Sequence, residues 1–572
     1  MVSLTKRFDD RVLQQVPSWT VELGASSLSS APFQSLNATA TQCNYQIQAP
    51  SQSVYLDRVV QWQQTVGVTM TVDCSLAPVA PFQIVTPGRD FSLCASPLHA
   101  LVGSMTATIG DAVVSSNPLQ SRELMDLLSD TPLDREWRTY PCALDVYADY
   151  NDAFGTLMNP IAGFDSASTN AMIGNGSWPL VFTNPAGSVT TPYTDSFGNA
   201  VTFTAGGIPQ LASGAGDLTR VQVYFQFTST EPLQMSPFIW REVYERKTGL
   251  SQLTNIGVIM NLASALNSHL IRSTSKNGRF ITSYALNNIG TTGTPFGGSS
   301  LSSQFLSPPP ELPLSPINIV DYQSVLPYVY PFAPITTQSV SIGPIVTQSL
   351  SLPSIPDWLV IAVQPTPAYM MTAGARTQAT WYLPITAMNA TWSNVTGLLS
   401  SQTQQQLFGI CKANGVKMSW DQWRGYAQTS TAGKEGKVQL TGGPMVLRPG
   451  IDLTLPPGQA SGQSNGQWTF SVQLQVDTSA IPLSVLQDPL WGMQTTVLTV
   501  NSGYMQTSRG STRLNTGPIM GLGTVPTPSD ALMGIPVAGP VHRPEFTQLT
   551  DGSRLIGSGG GRRRMRMSDR VM

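Results

Sequence analysis

The chain has 572 residues, of which 41% are hydrophobic and only 11% charged, with a formal net charge of −2. It is too long for one ordinary core, because chains beyond roughly 250–300 residues split into domains. Near-neutrality excludes a chain-wide attraction to nucleic acid. The charge content is less than half of the usual ~25%, and together with 12 Trp, 16 Tyr and 19 Phe it excludes a disordered chain. Two readings fit: a β protein with Ser, Thr, Asn and Gln on its surface, or one whose surface is buried against further copies, since interface cores are depleted of charge.

From the N-terminus, MVSLTKRFDDRVLQQV has no apolar core of signal-peptide length. No later stretch approaches the roughly 18 apolar residues of a membrane-spanning helix. Residues 1–40 are expected to form an arm in which Phe8, Val12, Leu13 and Val16 make one short amphipathic turn set. Gly (49) and Pro (44) then punctuate many short extended runs, the pattern of an all-β sandwich or barrel. Val66 to Val72 and Val221 to Phe227 alternate, as does Phe470 to Val476. Thr495 to Val500 is a further extended run, and Trp358 to Val363 is a continuous apolar run of the kind buried on both faces. Two helices are expected, over Ser121–Ser129 and Gln402–Ala413, while Asn255 to Ile271 fits a helix or a strand pair.

The order of features repeats between the halves. VYLDRVVQWQQTVGVTMTV from Val54 is matched with GLSQLTNIGVIMNLASAL from Gly249, and FSLCASPLHALVGSMTATI from Phe91 with LSLPSIPDWLVIAV from Leu350. Each half carries one helix before a Trp-bearing loop, and VQVYFQF is matched with FSVQLQV. Two tandem eight-stranded sandwiches follow, over 41–245 and 246–510. The boundary falls near Arg246, 290–316 is a loop insertion in the second domain, and 511–572 is a flexible tail.

Several strings resemble the major capsid proteins of polinton-like viruses, adintoviruses and virophages, within the double jelly-roll lineage that includes adenovirus hexon. They are SLPSIPDWLVIAVQP (Ser351–Pro365), ITAMNATWSNVTGLLSSQTQQQLFGICKANGVKMSWDQWRG (Ile385–Gly425) and GGPMVLRPGIDLTLPPGQASGQSNGQWTFSVQLQV (Gly442–Val476). TEPLQMSPF (Thr230–Phe238) resembles the interdomain junction. The resemblance spans roughly residues 40 to 510. It implies a double jelly roll that trimerises into pseudo-hexameric capsomers. These would tile an icosahedral shell around double-stranded DNA, with penton and minor capsid proteins as further partners and the virion as the protein's location.

The search for chemistry yields no compact site. His99, His269 and His542 lie in no metal spacing, and GNGSW (Gly174–Trp178) places its glycines wrongly for a nucleophile elbow. Asp134 with Glu136, and Glu242 with Glu245, are carboxylate pairs of the kind a glycosidase uses. Both sit in mixed-charge segments, DREWR and REVYERK, that read as salt-bridge patches. Cys43, Cys74, Cys94, Cys142 and Cys411 are odd in number and form no CxxC pair. Reduced thiols and synthesis inside the host cell are expected, with no metal and no cofactor. Arg562, Arg563, Arg564 and Arg566 end the tail against one acid, Asp569, and are the candidate contact to DNA or an inner membrane surface. The expected function is a major capsid protein and not an enzyme. The competing readings are a trimeric spike or lectin-like binding protein, and a carbohydrate-active enzyme.

Overall fold

A computed structural model describes residues 25–516 except 75–79, 86–90, 94–95, 130–179, 213–215, 218, 240–246, 264–269, 274–279, 290–292, 313–314, 367–380, 432–433, 458, 460–466, 482 and 488–491. The first eight principal strands are β1 (Ser27–Gln34), β2 (Gln42–Gln48), β3 (Gln61–Asp73), β4 (Val102–Ile109), β5 (Ala112–Ser116), β6 (Arg220–Pro232), β7 (Asn255–Leu262) and β8 (Phe296–Ser307). They pair antiparallel as two sheets, β1-β8-β3-β6 and β2-β7-β4-β5. The next eight are β9 (Asn318–Phe332), β10 (Ile342–Val346, continued by Leu350–Leu352), β11 (Trp358–Pro365), β12 (Ile385–Trp392), β13 (Val395–Leu398), β14 (Met445–Leu447), β15 (Trp468–Val476) and β16 (Met493–Ser508). Their sheets are β9-β16-β11-β14 and β10-β15-β12-β13. Adding eight to each label of the first domain gives the second, so both are jelly rolls of one topology, two Greek keys folded face to face.

Alternation drives this layering. In β3, Trp62, Gln64, Val66, Val68, Met70 and Val72 point into the core while Gln61, Gln63 and Thr65 point away. β11 is buried on both faces, as its unbroken WLVIAV run implies. Of the segment that fits a helix or a strand pair, Asn255–Leu262 is extended as β7 and a short strand starts at Ile271, while 264–269 lie outside the described residues. Each roll carries a helix between its fifth and sixth strands, α2 (Pro118–Ser129) and α3 (Gln404–Ala413); the shorter α1 (Pro97–Ala100) precedes β4. Thr403 and Gln406 close a capping box on α3, which fixes where that helix begins.

The domain boundaries shift from those expected. β7 pairs β2 and β4, and β8 pairs β1 and β3, so the first roll runs to Ser307 and not to 245. The stretch 290–316 is no insertion, because it contains β8. Nor is 1–40 wholly an arm, since β1 is the first jelly-roll strand. The tail begins with an ordered strand, β17 (Ser511–Thr516), paired to β16. The error has a physical source: VQVYFQF is the sixth strand of its roll and FSVQLQV the seventh of the other. Both alternate because each lines a core with one face, and alternation does not tell which sheet a strand joins.

The two rolls interlock. β9 and β16 pair over fifteen residues, about 50 Å of ribbon at ~3.3 Å per residue. One end of this ribbon gives Val320, Tyr322 and Met505 to the first core, while Val497, Leu498 and Val500 belong to the second. In return, Leu124 and Met125 of α2 join the second core. Polar contacts line the seam: Thr507 Oγ1 donates to Ser251 O (2.7 Å), Asn318 Nδ2 to Gly249 O (2.8 Å), and the Gln323 amide to Ser236 Oγ (2.9 Å). Thus TEPLQMSPF does lie at the junction, although the chain crosses between rolls near 308–317. At the turn after β16, the Gly510 amide donates to Gln252 O (2.9 Å), and Ser511 and Thr512 donate to Asp111. Gly110 (φ +61) makes room there, since a Cβ would stand 2.7 Å from Gly510 O.

Arg58 brings charge into the seam. It is buried, donates to Pro237 O (2.7 Å), and pairs with the Asp321 carboxylate and carbonyl. Burial pushes the Asp321 carboxyl up, but the Arg58 guanidinium, with Lys247, outweighs it and holds the group below its usual range. A carboxyl so lowered contributes stability that is present above the unfolded value near pH 4 and lost as pH falls through the native value. Asp321→Asn is expected to destabilise the protein at neutral pH, and its deficit against wild type should shrink below about pH 4 in denaturant titrations. Met505→Ala is expected to cost about 2–5 kcal/mol and to lower hydrogen-exchange protection in β3 and β6, although Met505 lies in the last strand of the second roll.

Candidate functional site: uncharged sheet faces around a closed core

Among the sixteen jelly-roll strands, Lys, Arg, Asp and Glu occur only as Asp73, Arg220, Glu231 and Asp321. Asp73 and Arg220 terminate strands, Glu231 points inward and Asp321 lies in the seam. The outward faces are therefore built from uncharged groups. On β2-β7-β4-β5, register sets Asn44, Ile259, Thr106 and Ser115 in one row and Gln46, Gly257, Thr108 and Val113 in the next. Val113 (60%) and Ile259 (38%) are large hydrophobic side chains left exposed among these polar ones. On the corresponding face of the second roll, Asn389 stands opposite Gln473 and Thr391 opposite Ser471. Uncharged polar faces of this kind can be covered without stripping water from an ion, which makes them suited to tight association.

His99 is not a site. Its Nε2 accepts from the Gln234 amide (3.0 Å), so Nδ1 carries the proton and donates to Glu231 (2.7 Å). The Leu98 and His99 amides and Ser229 Oγ also donate to the Glu231 carboxylate, and Trp62 meets the imidazole edge-on. Every atom of this network is enclosed, and its four donors replace the water a buried carboxylate loses. A second internal network joins Tyr45, Gln64, Ser299 and Trp62 between the two sheets of the first roll.

The thiols described are equally closed. Burial pushes Cys43 up to about 11 and Cys411 up to about 12, so neither is a thiolate at neutral pH. Cys43, Cys74 and Cys411 are buried and belong to no disulfide. Among the described residues no group of His, Cys, Asp and Glu is arranged to hold a metal ion, and no helix is long and apolar enough to cross a membrane. A seam cavity of about 30 Å³, lined by Ser121, Arg122, Met125, Gln234 and Gln323, takes little more than a water or two.

Other sequence candidates fall on residues that are not described. Asp134, Glu136, Glu242, Glu245, His269, His542, Cys142 and the cluster Arg562, Arg563, Arg564 and Arg566 lie outside the described residues, as do Phe8, Val12, Leu13 and Val16. What sequence reasoning missed is the pairing of faces. The wedge formed by α2 and the absence of charge on outward strand positions are the features of note. The second was available, since the outward residues of FSVQLQV are Ser471, Gln473 and Gln475.

Comparison with known proteins matches this architecture. The family model of the Sputnik virophage major capsid protein first domain matches residues 5–306, and that of the major capsid protein V20 C-terminal domain matches 333–503. These limits agree with a first roll ending at Ser307. The putative capsid protein V20 of Sputnik virophage is 26% identical over 483 residues, covering 82% of this chain and 73% of that protein. The cryo-EM structure of the Sputnik virophage superposes with a TM-score of 0.72 at 20% identity, covering 96% of this chain and 98% of that one. The mavirus major capsid protein superposes at 0.60 and 11% identity, covering 90% and 96%. Two stacked rolls of one topology, uncharged outward faces and a match over both domains lead to one assignment: the chain belongs to the virophage major capsid protein family.

Proposed function

We propose that three copies of this chain close head to tail into a capsomer, and that capsomers tile an icosahedral shell around double-stranded DNA. The observation that carries this reading is the repeated topology held in one interlocked body. Two equal wedges per chain give six per trimer, so a three-copy ring fits sixfold-like positions in a lattice. The sparsely charged faces suit contacts with neighbouring capsomers, penton and minor capsid proteins. Such a role is structural and asks for no catalytic group.

Orientation follows from the termini. β1 starts at Ser27, opposite Ser307, and the β16–β17 turn lies on the Gly110–Asp111 turn. The described chain thus begins on the side of the short β4–β5 turn, away from the long connections that hold α2 and α3, and β17 starts on that side before running back along β16 to Thr516, opposite Gly503. That side faces the interior, where the preceding arm ties capsomers together. There Arg562, Arg563, Arg564 and Arg566 meet phosphate, of DNA or of an inner membrane, by counterion release.

Light scattering on the purified chain is expected to give three times the monomer mass, with hexagonal outlines in negative stain. A monomer at high concentration would overturn the reading. Deletion of Ser558–Met572 is expected to leave trimers intact and to reduce packaged nucleic acid; normally filled particles would remove the tail from this role.

A further inference from the structure

Within one chain, the first roll meets the second through a specific contact. Gln120 in the first turn of α2 meets Gln494 of β16 (3.2 Å), and Leu124 and Met125 sink into the second core. Gln494, Thr496 and Leu498 share the face of β16 that α2 approaches, opposite Gln364, Ala362 and Val360 of β11, and apart from partly buried Gln364 all are buried. The receiving surface is thus the outer face of the β9-β16-β11-β14 sheet.

The topologically equivalent surface of the first roll is the outer face of β1-β8-β3-β6. Gln63, Gln304, Pro32 and Thr228 are exposed there, and Thr65 and Ser302 are half-buried. The equivalent of α2 in the second roll is α3, which stands in the same connection between fifth and sixth strands. Its Leu407 and Cys411 face its own roll, whereas Gln405, Gly409 and Lys412 are exposed. Gly409 lies mid-helix, where glycine is the poorest non-proline residue. A Cβ placed on it meets nothing within 4 Å, so no contact inside the chain requires a glycine there. The contact seen once within the chain has both of its halves left open a second time.

We propose that α3 of one copy docks on the outer face of β1-β8-β3-β6 of the next copy, with Gly409 at the closest approach, repeating between chains the contact α2 makes within one. The partner is a second copy of this chain, and the proposal rests on the trimer reading. A ring of six similar rolls has six seams, and similar seams use similar elements. Three are built by α2 and three remain for α3. The receiving face carries Gln, Ser and Thr without charge, and the first turn of α3 is Gln404, Gln405 and Gln406, so the pair can meet through amide and hydroxyl groups as Gln120 and Gln494 do.

The test uses full-length chains. Gly409→Arg is expected to raise the concentration at which trimers dissociate at least tenfold while leaving the thermal midpoint of the monomer unchanged, because the site is open within the chain. Gly409→Ala should retain trimers. In addition, Gln405→Cys and Gln63→Cys chains are mixed and treated with a short bismaleimide; a covalent dimer is expected from the mixture and not from either variant alone. Trimers that persist in Gly409→Arg and give no mixed product would overturn this contact and leave the trimer standing. A wild-type chain that stays monomeric would overturn both.

Discussion

The structure depends on one ribbon. β9 and β16 are long enough to leave their own roll and enter the other, and α2 crosses in return, so each of the two cores contains side chains from both domains. Two jelly rolls joined only by a linker would move as separate bodies, as small polar interdomain contacts allow. Here Val320, Tyr322 and Met505 on one side, and Leu124 and Met125 on the other, make separation of the rolls equivalent to opening both cores. A body that tiles a shell needs fixed angles between its wedges, and this ribbon fixes them.

Charge placement follows the same logic. Ions are kept off the outward faces of the sixteen jelly-roll strands, and the buried ones sit where a fixed partner exists. Glu231 is surrounded by four donors, Arg58 is tied to Pro237 and Asp321, and Asp111 holds the start of β17. Each of these fastens one segment to another and none lies in a cleft. The outward strand positions carry amides and hydroxyls, which stay soluble on a free subunit and lose little on being covered.

The same economy explains why the search for a compact site ends at interfaces. The networks around Glu231 and around Gln64 are enclosed within the first roll, and Cys43 and Cys411 are held protonated by burial. Among the described residues, what stays open is surface: one sheet face and one helix face whose equivalents elsewhere are already covered.

Much was legible in the residues alone. Alternation in β3, β6 and β15, the apolar run of β11, the two helices and the charge deficit determined an all-β chain of two sandwiches with surface to hide. These are local consequences of which face of a strand meets water, and every residue carries its own part of that signal. The partition into rolls was not local. GVIMNL and SSLSSQFLS hold the same kind of pattern whether they close the first roll or open the second. Only hydrogen-bond register, to Gln42–Gln48 for β7 and to Ser27–Gln34 for β8, decided that they close the first. The exchange of Met505 and Leu124 between cores, and the open faces it leaves behind, were likewise settled by tertiary packing, because a buried residue does not record in sequence which core it is buried in.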